Sequence, residues 1–462
     1  MGDIKAIIAT ISDLAFGPFT IVLILGTGLY LTVGLRFLTL TRLFQAFRMS
    51  FGKSARAESA DSGKMSSLGA LMTALAAMVG IGNIAGVATA IALGGPGALF
   101  WMCMGAVFGM ATRFGEVYLA IIYRDVSSSG AYYGGPMFYI RNGLGKNWAW
   151  LGVFYAIFAC IQAFGPSGQS NTIADTLNSQ FGVPAWATWI GLIIAIFSVL
   201  IGGVKRIAAV CIAVVPFMVL VYMGASFVVL FAFADQIPAA IALVVSDAFT
   251  GSAAAGGFAG ATVAAAIRYG VARGIFSNEA GLGTAAIAHA TVRSNDAVQQ
   301  GIISIVGVFI DTIFMCTITG LTIIVTGVWK SGESGAPLVI AAFDAAMPGW
   351  GGPIVSVCVV MFGVTCLWGW GLYGERAAIY LFGERVSTPV RYIYPFTVTL
   401  GALLTLETAW QIIDISLGLM TIPNLIAILL LSPVIFRGTA ARLKQAPLSQ
   451  ETPPAAVTEA AR

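Results

Sequence analysis

The sequence predicts an all-α membrane protein of about eleven transmembrane helices, built as two inverted five-helix repeats behind one extra N-terminal helix. Three observations predict it. Of 462 residues, 58% are hydrophobic and only 10% charged, where a soluble domain carries roughly 25% charged residues. The apolar residues fall in runs long enough to cross the hydrocarbon layer, which takes about 20 residues. Glycine-rich interruptions recur five spans apart, an odd number that places the interrupted helices in opposite orientations, as an inverted repeat requires.

The apolar runs are 15–35, 67–93, 97–123, 148–178, 184–203, 207–233, 238–267, 296–328, 353–382, 389–408 and 410–436. Residues 1–66 hold the extra helix and a basic loop. Lys5 is accompanied by Asp3 and Asp13, and no small-residue cleavage site follows the first run, so that run reads as a retained span and not a signal peptide. Residues 67–436 form the core, with repeat one at about 67–235 and repeat two at about 238–436. The tail, 437–462, contains Pro447, Pro453 and Pro454 and reads as disordered beyond Ala446.

The net charge of +4 does not mark a nucleic-acid binder, because the basic residues follow the connections. Assigning connections alternately to two sides puts Arg36, Arg42, Arg48, Lys53, Arg56, Lys64, Arg124, Arg141, Lys146, Lys205, Arg206, Arg268, Arg273, Arg293, Arg385, Arg391, Arg437, Arg442, Lys444 and Arg462 on one side. The other side holds Lys5 and Lys330, with Arg113 and Arg376 near span ends. Such a bias makes the basic side cytoplasmic: a multi-pass protein of the cell (inner) membrane, N-terminus outside and C-terminus inside. The six cysteines all lie in apolar runs without metal-ligand spacing and read as small buried hydrophobes, with no disulfide expected.

Within the second run, Gly80 and Gly82 flank Ile81 and precede Asn83. Each glycine weakens a helix by up to about 1 kcal/mol relative to alanine. In lipid, opened backbone is tolerated only beside protein or a wet cavity, and such breaks form transporter sites by offering N–H groups to a carboxylate and carbonyls to a cation. The competing reading is close helix packing; Asn83 and the adjoining small residues favour a break. A second break is expected at Phe249, Thr250, Gly251 and Ser252, with Gly256 and Gly257.

The runs VGIGNIAGVATAIALGGPGALFWM, GAYYGGPMFYI, AAGGFAGATVAAAIRYGVARGIFSNEAGLG and GVFIDT resemble the alanine-or-glycine:cation symporters, also called sodium:alanine symporters, from about Ser67 to Leu431. The resemblance implies the LeuT-type fold of the amino acid–polyamine–organocation superfamily and co-transport of alanine or glycine with sodium, sometimes protons. VGIGN (Val79–Asn83) is also similar to the sodium-coupled neurotransmitter symporters, and Phe249-Thr250 with Ser252 resembles their broken sixth core helix. By this resemblance Gly80, Gly82, Asn83, Gln169, Phe249, Thr250 and Trp370 would line the substrate site. Sodium would meet the carbonyls of Ala76 and Val79 together with Thr365 and Cys366.

Two departures stand out. Cys366 replaces a family threonine, and a thiol is a poor ligand for a hard cation. The span-four stretch FGPSGQSN (Phe164–Asn171) is two residues shorter than the family pattern and carries Pro166, while Gln169 and Asn171 still align. The expected function is sodium-coupled uptake of a small neutral amino acid by alternating access. The alternative is a proton-coupled or weakly sodium-coupled carrier of another small amino acid. The expected partners are the amino acid and lipid, with no nucleic acid.

Glu116, Asp175, Glu279, Asp311 and Asp414 lie in or near apolar runs, where charge is expensive and marks function by default. Arg113 and Glu116, three apart, can pair on one helix face. FSNEAGLG (Phe276–Gly283) is assigned to the cytoplasmic loop after span seven; a later span would instead bring Ser277, Asn278 and Glu279 to the pocket. His289 reads as structural, and Trp148, Trp150, Trp186, Trp189, Trp329 and Trp350 as an interfacial belt. A channel would show a repeated filter or charged rings, and an enzyme a nucleophile–base pair or metal cluster; the sequence offers neither, so no enzymatic activity is expected.

Overall fold

A computed structural model of the chain describes residues 17–52, 65–128, 130–250, 262–404 and 406–445. Helices dominate, because inside lipid a helix satisfies its own backbone. The described residues open with α1 (Pro18–Gly34), a turn at Leu38–Thr41 and α2 (Leu43–Phe51). Next come α3 (Ser67–Met78), capped by Ser66 Oγ accepting from Gly69 N at 3.0 Å, then α4 (Ala85–Gly94) and α5 (Gly97–Ile122). A small hairpin, β1 (Asp125–Val126) with β2 (Tyr132–Tyr133), leads to α6 (Pro136–Leu144), α7 (Ala149–Phe164), α8 (Gly168–Phe181), α9 (Ala185–Leu200) and α10 (Gly203–Ala232). The second half runs α11 (Ile237–Thr250), α12 (Val263–Asn278), α13 (Thr284–His289), α14 (Ala297–Val308), a π-helical turn (Phe309–Cys316) and α15 (Thr317–Val325). It closes with α16 (Gly335–Ala346), α17 (Gly351–Phe382), α18 (Ser387–Thr399) and α19 (Leu406–Gln445).

Among the described residues, six helical stretches are long and apolar enough to span a membrane: Gly97–Ile122, Lys146–Phe181, Gly203–Ala232, Ala297–Val325, Gly351–Phe382 and Ile413–Gln445. Five shorter apolar helices join them, among them α3 and α4, two halves of one interrupted run. The layering follows apolarity. α5, the α14–α15 run and α17 are mostly enclosed by other helices, whereas α10 turns Leu220 and Phe231 outward. Exposed leucine and phenylalanine on that scale suit lipid as the solvent. All six cysteines are free. Trp329, expected in the interfacial belt, is instead buried, while Trp150, Trp186 and Trp350 are exposed.

The seventh run is described only in part. It is described as α11 up to Thr250 and as α12 from Val263, with 251–261 outside the described residues, and α11 packs against the start of α5. Asp247 Oδ2 accepts from Gly97 N at 2.7 Å, Trp101 Nε1 donates to the Ala248 carbonyl, and a Cβ on Gly97 would lie 2.5 Å from Ala248 N. Arg268 and Arg273 lie within α12.

At one end the two interrupted runs are tied together. Met65 pairs with Val292 in a parallel bridge, Met65 N donating to the Thr291 carbonyl at 3.2 Å and Arg293 N to the Met65 carbonyl at 3.3 Å. The Arg124 guanidinium donates to the carbonyls of Ala290, Val292 and Ser294 at 2.8–3.1 Å, under the ring of Tyr132. Burial lowers its pKa to about 10, leaving it charged at neutral pH.

Candidate functional site

The first interruption lies where Gly80 and Gly82 predict it. α3 ends at Met78, Gly80 is extended (φ −129°, ψ −157°), and Ile81–Asn83 form a single tight turn before α4. The opened amides are taken by side chains: Gly80 N donates to Asn83 Oδ1 and Ile81 N to Gln169 Oε1, both at 3.0 Å. A Cβ on Gly80 would sit 3.0 Å from Gln169 Nε2 and 3.2 Å from Cys366 Cβ; one on Gly82 would sit 3.1 Å from Phe276 and 3.2 Å from Ser277 Cα. Both glycines are therefore needed for close approach, in addition to weakening the helix.

The second interruption is Glu279–Gly283, between α12 and α13, in the segment assigned by charge to a loop. Ser277, Asn278 and Glu279 are buried. Glu279, Gly281 and Gly283 take φ of 56°, 100° and 75°, a run of left-handed backbone that glycine permits at two of its three positions. The two interruptions meet at the π-helical turn. Asp311 Oδ1 accepts from Asn83 Nδ2 at 2.8 Å, and Oδ2 accepts from Ser277 Oγ at 2.8 Å and Thr312 Oγ1 at 2.7 Å. π-turns recur at functional sites, and a carboxylate this deep is tolerated because each oxygen is hydrogen-bonded. Asn278 Nδ2 donates to Thr312 Oγ1 at 3.1 Å, and Thr284 Oγ1 to Glu279 Oε2 at 2.6 Å.

Of the residues singled out by sequence, Gly80, Gly82, Asn83, Gln169, Cys366 and Trp370 converge. Ala76 and Val79 are fully buried beside them. The Cys366 thiol donates to the Ala77 carbonyl at 2.9 Å. Thr365 turns its hydroxyl into its own helix, onto the Met361 and Phe362 carbonyls at 3.0 Å, with Met218 Sδ at 3.4 Å. Asn171 lies apart from the cavity, donating to the Gly401 and Leu404 carbonyls below α18. Phe249 and Thr250 are not brought to this place. Phe249 is 58% exposed against Phe100 and Trp101, and the exposed Thr250 hydroxyl donates to the Ser246 carbonyl. Gly251, Ser252, Gly256 and Gly257 lie outside the described residues.

Pro166 opens a third helix. α7 ends at Phe164 and α8 begins at Gly168, with Ser167 N and Ser170 Oγ both donating to the Val398 carbonyl. The opening carries Gln169 to the first interruption. Between these elements lies a cavity of about 30 Å³, lined by Ala77, Gln162, Gln169, Phe276, Cys366, Trp370, Ile413 and Leu417 among others, on the order of two water molecules in size. Next to the lining residue Phe276, Arg273 Nη2 and Asp414 Oδ2 form an ion pair at 2.9 Å, with the Arg273 guanidinium 5.9 Å from the Phe276 ring. The lining residues Phe276, Gln162, Ile413 and Leu417 escaped sequence reading, as did the role of Asp311 as a hub. One signal was present: Asn278 with Gly281-Leu282-Gly283 reverses the Gly80-Ile81-Gly82-Asn83 pattern.

The model of the sodium:alanine symporter family matches residues 1–454. The sodium/alanine symporter AgcS of Methanococcus maripaludis is 42% identical over 452 residues, 95% of this chain and 97% of that protein. The probable sodium/glutamine symporter GlnT of Bacillus subtilis is 36% identical, covering 94% of this chain and 89% of its own. Among solved structures, MhsT in complex with L-phenylalanine superposes with a TM-score of 0.59 at 14% identity, covering 87% of this chain and 98% of that one, a likeness that shows the LeuT-type fold. Family and relatives are transporters and not enzymes, and the chain is a multi-pass membrane protein. It belongs to the sodium:alanine symporter family.

Proposed function

We propose that the chain couples uptake of alanine or glycine to a sodium gradient by alternating access. One observation carries the reading: two membrane-buried helices are opened at the same place, and their opened ends are joined through Asn83, Ser277 and Asp311. Gln169 Oε1 on Ile81 N and Asn83 Oδ1 on Gly80 N stand where a substrate carboxylate would be received, so the amino acid displaces side-chain acceptors. The glycine edges and the Trp370 wall restrict the side chain to a small one. For sodium, the Ala76 and Val79 carbonyls with Thr365 and Cys366 remain the candidates from the family pattern; the structure adds Asp311, whose formal charge and oxygen chemistry suit a hard cation. We read the Arg273–Asp414 ion pair and the Met65–Val292 bridge as closures on either side of the site, an occluded arrangement.

The basic end is the cytoplasmic one in this reading, and the two repeats begin at about residue 67 and at α12. With α1 the spans then number eleven, counting α3–α4, α7–α8 and α12–α13 as one each. The test is radiolabelled uptake into proteoliposomes, with and without a sodium gradient, across a panel of amino acids. Sodium-stimulated accumulation of alanine or glycine is expected; uptake indifferent to sodium would overturn it. A second reading, proton or weak sodium coupling, is favoured by Cys366, whose thiol is committed to the Ala77 carbonyl while Thr365 bonds within its own helix. An imposed pH gradient in the same vesicles separates the two.

A further inference from the structure

Arg113 and Glu116 stand one turn apart in the middle of α5, 1% and 0% exposed. Neither lines the cavity, and the proposed transport reading assigns them nothing. Yet both sides of the second interruption come to rest on them. Arg113 Nη2 donates to the carbonyl of Asn278, the last residue of α12, and lies 3.5 Å from Sδ of Met78, the last residue of α3. Glu116 Oε1 accepts from Gly281 N at 2.8 Å, Gly283 N at 3.0 Å and Asn424 Nδ2 at 2.9 Å. Asn424 also donates to the Gly281 carbonyl at 2.7 Å and accepts from the Tyr139 hydroxyl. The opened stretch 279–283 is thus gripped at both ends from α5 and braced to α6 and α19.

The pair is not closed on itself. Arg113 Nε and Glu116 Oε2 are 3.8 Å apart, and Nε, Nη1 and Oε2 have no hydrogen-bond partner among the described residues. Opposite charges out of water, free to approach, would settle at about 2.8 Å. Here Nη2 and Oε1 are engaged by the interruption instead. A second arrangement, closed on each other, would be open to the same two groups if α13 moved off. Contacts with two discrete arrangements are what a conformational cycle biases.

We propose that Arg113 and Glu116 are positioning residues: they hold the second interruption in the geometry that completes the site, and exchange those contacts for direct pairing when α13 swings. The consequence for transport rests on the symport reading; the grip itself does not. The test compares Glu116→Ala, Glu116→Gln, Arg113→Ala and the Arg113→Ala/Glu116→Ala double variant in the full-length protein, by hydrogen–deuterium exchange and by alanine uptake per folded protein. Exchange at Gly281 and Gly283 should quicken by about tenfold or more in Glu116→Ala, with the outer helices unchanged, and Glu116→Gln, which keeps the acceptor oxygen, should return to within about threefold of wild type. Half-saturating alanine should rise by about tenfold in each single alanine variant, the double variant being no worse than the worse single one. Unchanged exchange at 281–283, a uniform rise across all helices, additive losses, or a glutamine variant as poor as alanine would each overturn it. Should Glu116→Ala not fold, Tyr139→Phe removes only the hydroxyl bracing Asn424, and exchange at 281–283 should still rise by about threefold; no rise overturns the proposal. Wild-type protein without alanine uptake would sink the symport reading alone, since exchange decides the grip independently.

Discussion

Asn83 and Asp311, 228 positions apart in the chain, are joined by a 2.8 Å hydrogen bond from the amide Nδ2 to the carboxylate Oδ1. It links an opened helix to a π-turn, and Asn83 reinforces it by donating to the Asp311 carbonyl at 2.9 Å. Hydrogen bonds to a charged group are worth about 1.5–3 kcal/mol each. Asp311→Asn should therefore raise the sodium concentration for half-maximal uptake by about tenfold or more, and Asp311→Ala should abolish uptake. A sodium titration in proteoliposomes checks this, and an unaltered curve would remove Asp311 from the cation shell.

Gly80→Leu and Gly82→Leu should each abolish uptake with the protein still in the membrane. Even a Cβ at Gly82 presses on the backbone of Ser277 at 3.2 Å, and a Cβ at Gly80 meets Gln169 and Cys366. The measurement is transport normalised to folded protein by size-exclusion fluorescence. Near-normal transport in either variant would take the first interruption out of the site.

Gln169→Glu would place a permanent carboxylate on the Ile81 amide, where the substrate carboxylate is expected. Uptake should be lost, and binding of alanine by isothermal calorimetry should weaken by about a hundredfold, as repulsion and a blocked amide act together. Binding at wild-type strength would mean that the carboxylate is received elsewhere.

Cys366→Thr restores a hydroxyl beside the Ala77 carbonyl. If Cys366 belongs to the sodium shell, apparent sodium affinity should rise by about three- to tenfold, since oxygen suits a hard cation better than sulfur. No change in the sodium titration would exclude it.

Asp414→Asn removes the charge that pairs with Arg273 next to the lining residue Phe276. Cys366 lines that cavity, so in a background without Cys103 and Cys160 a water-soluble thiol reagent should label Cys366 about ten times faster. Equal labelling rates would show that the ion pair does not gate access.

The relation between sequence and structure differs from one element to the next. The first interruption was legible because Gly80, Gly82 and Asn83 state it locally: two weak helix formers and a side chain able to take an orphan amide. The second break expected from sequence, around Phe249–Gly257, falls mostly outside the described residues; the interruption the structure describes is Glu279–Gly283, where Asn278, Gly281 and Gly283 repeat the same chemistry. Nearby arginines suggested a loop, whereas the structure turns Arg273 toward Asp414 in another helix. Phe249 and Thr250 resembled a site motif, but α11 lies against the start of α5 and carries them to the outside.

By itself the sequence determined the solvent. A chain 58% hydrophobic and 10% charged has lipid around it, helices through it and a glycine-weakened point in one of them, because those follow from composition and local backbone preference. Only the tertiary structure decided which distant groups share a place. That Asn83 finds Asp311, that Gln169 reaches Ile81, and that Arg113 and Glu116 grip residues 279–283 depends on how whole helices pack. Packing is set by shape summed over many side chains, and a charge buried in lipid persists only where that sum delivers its partners.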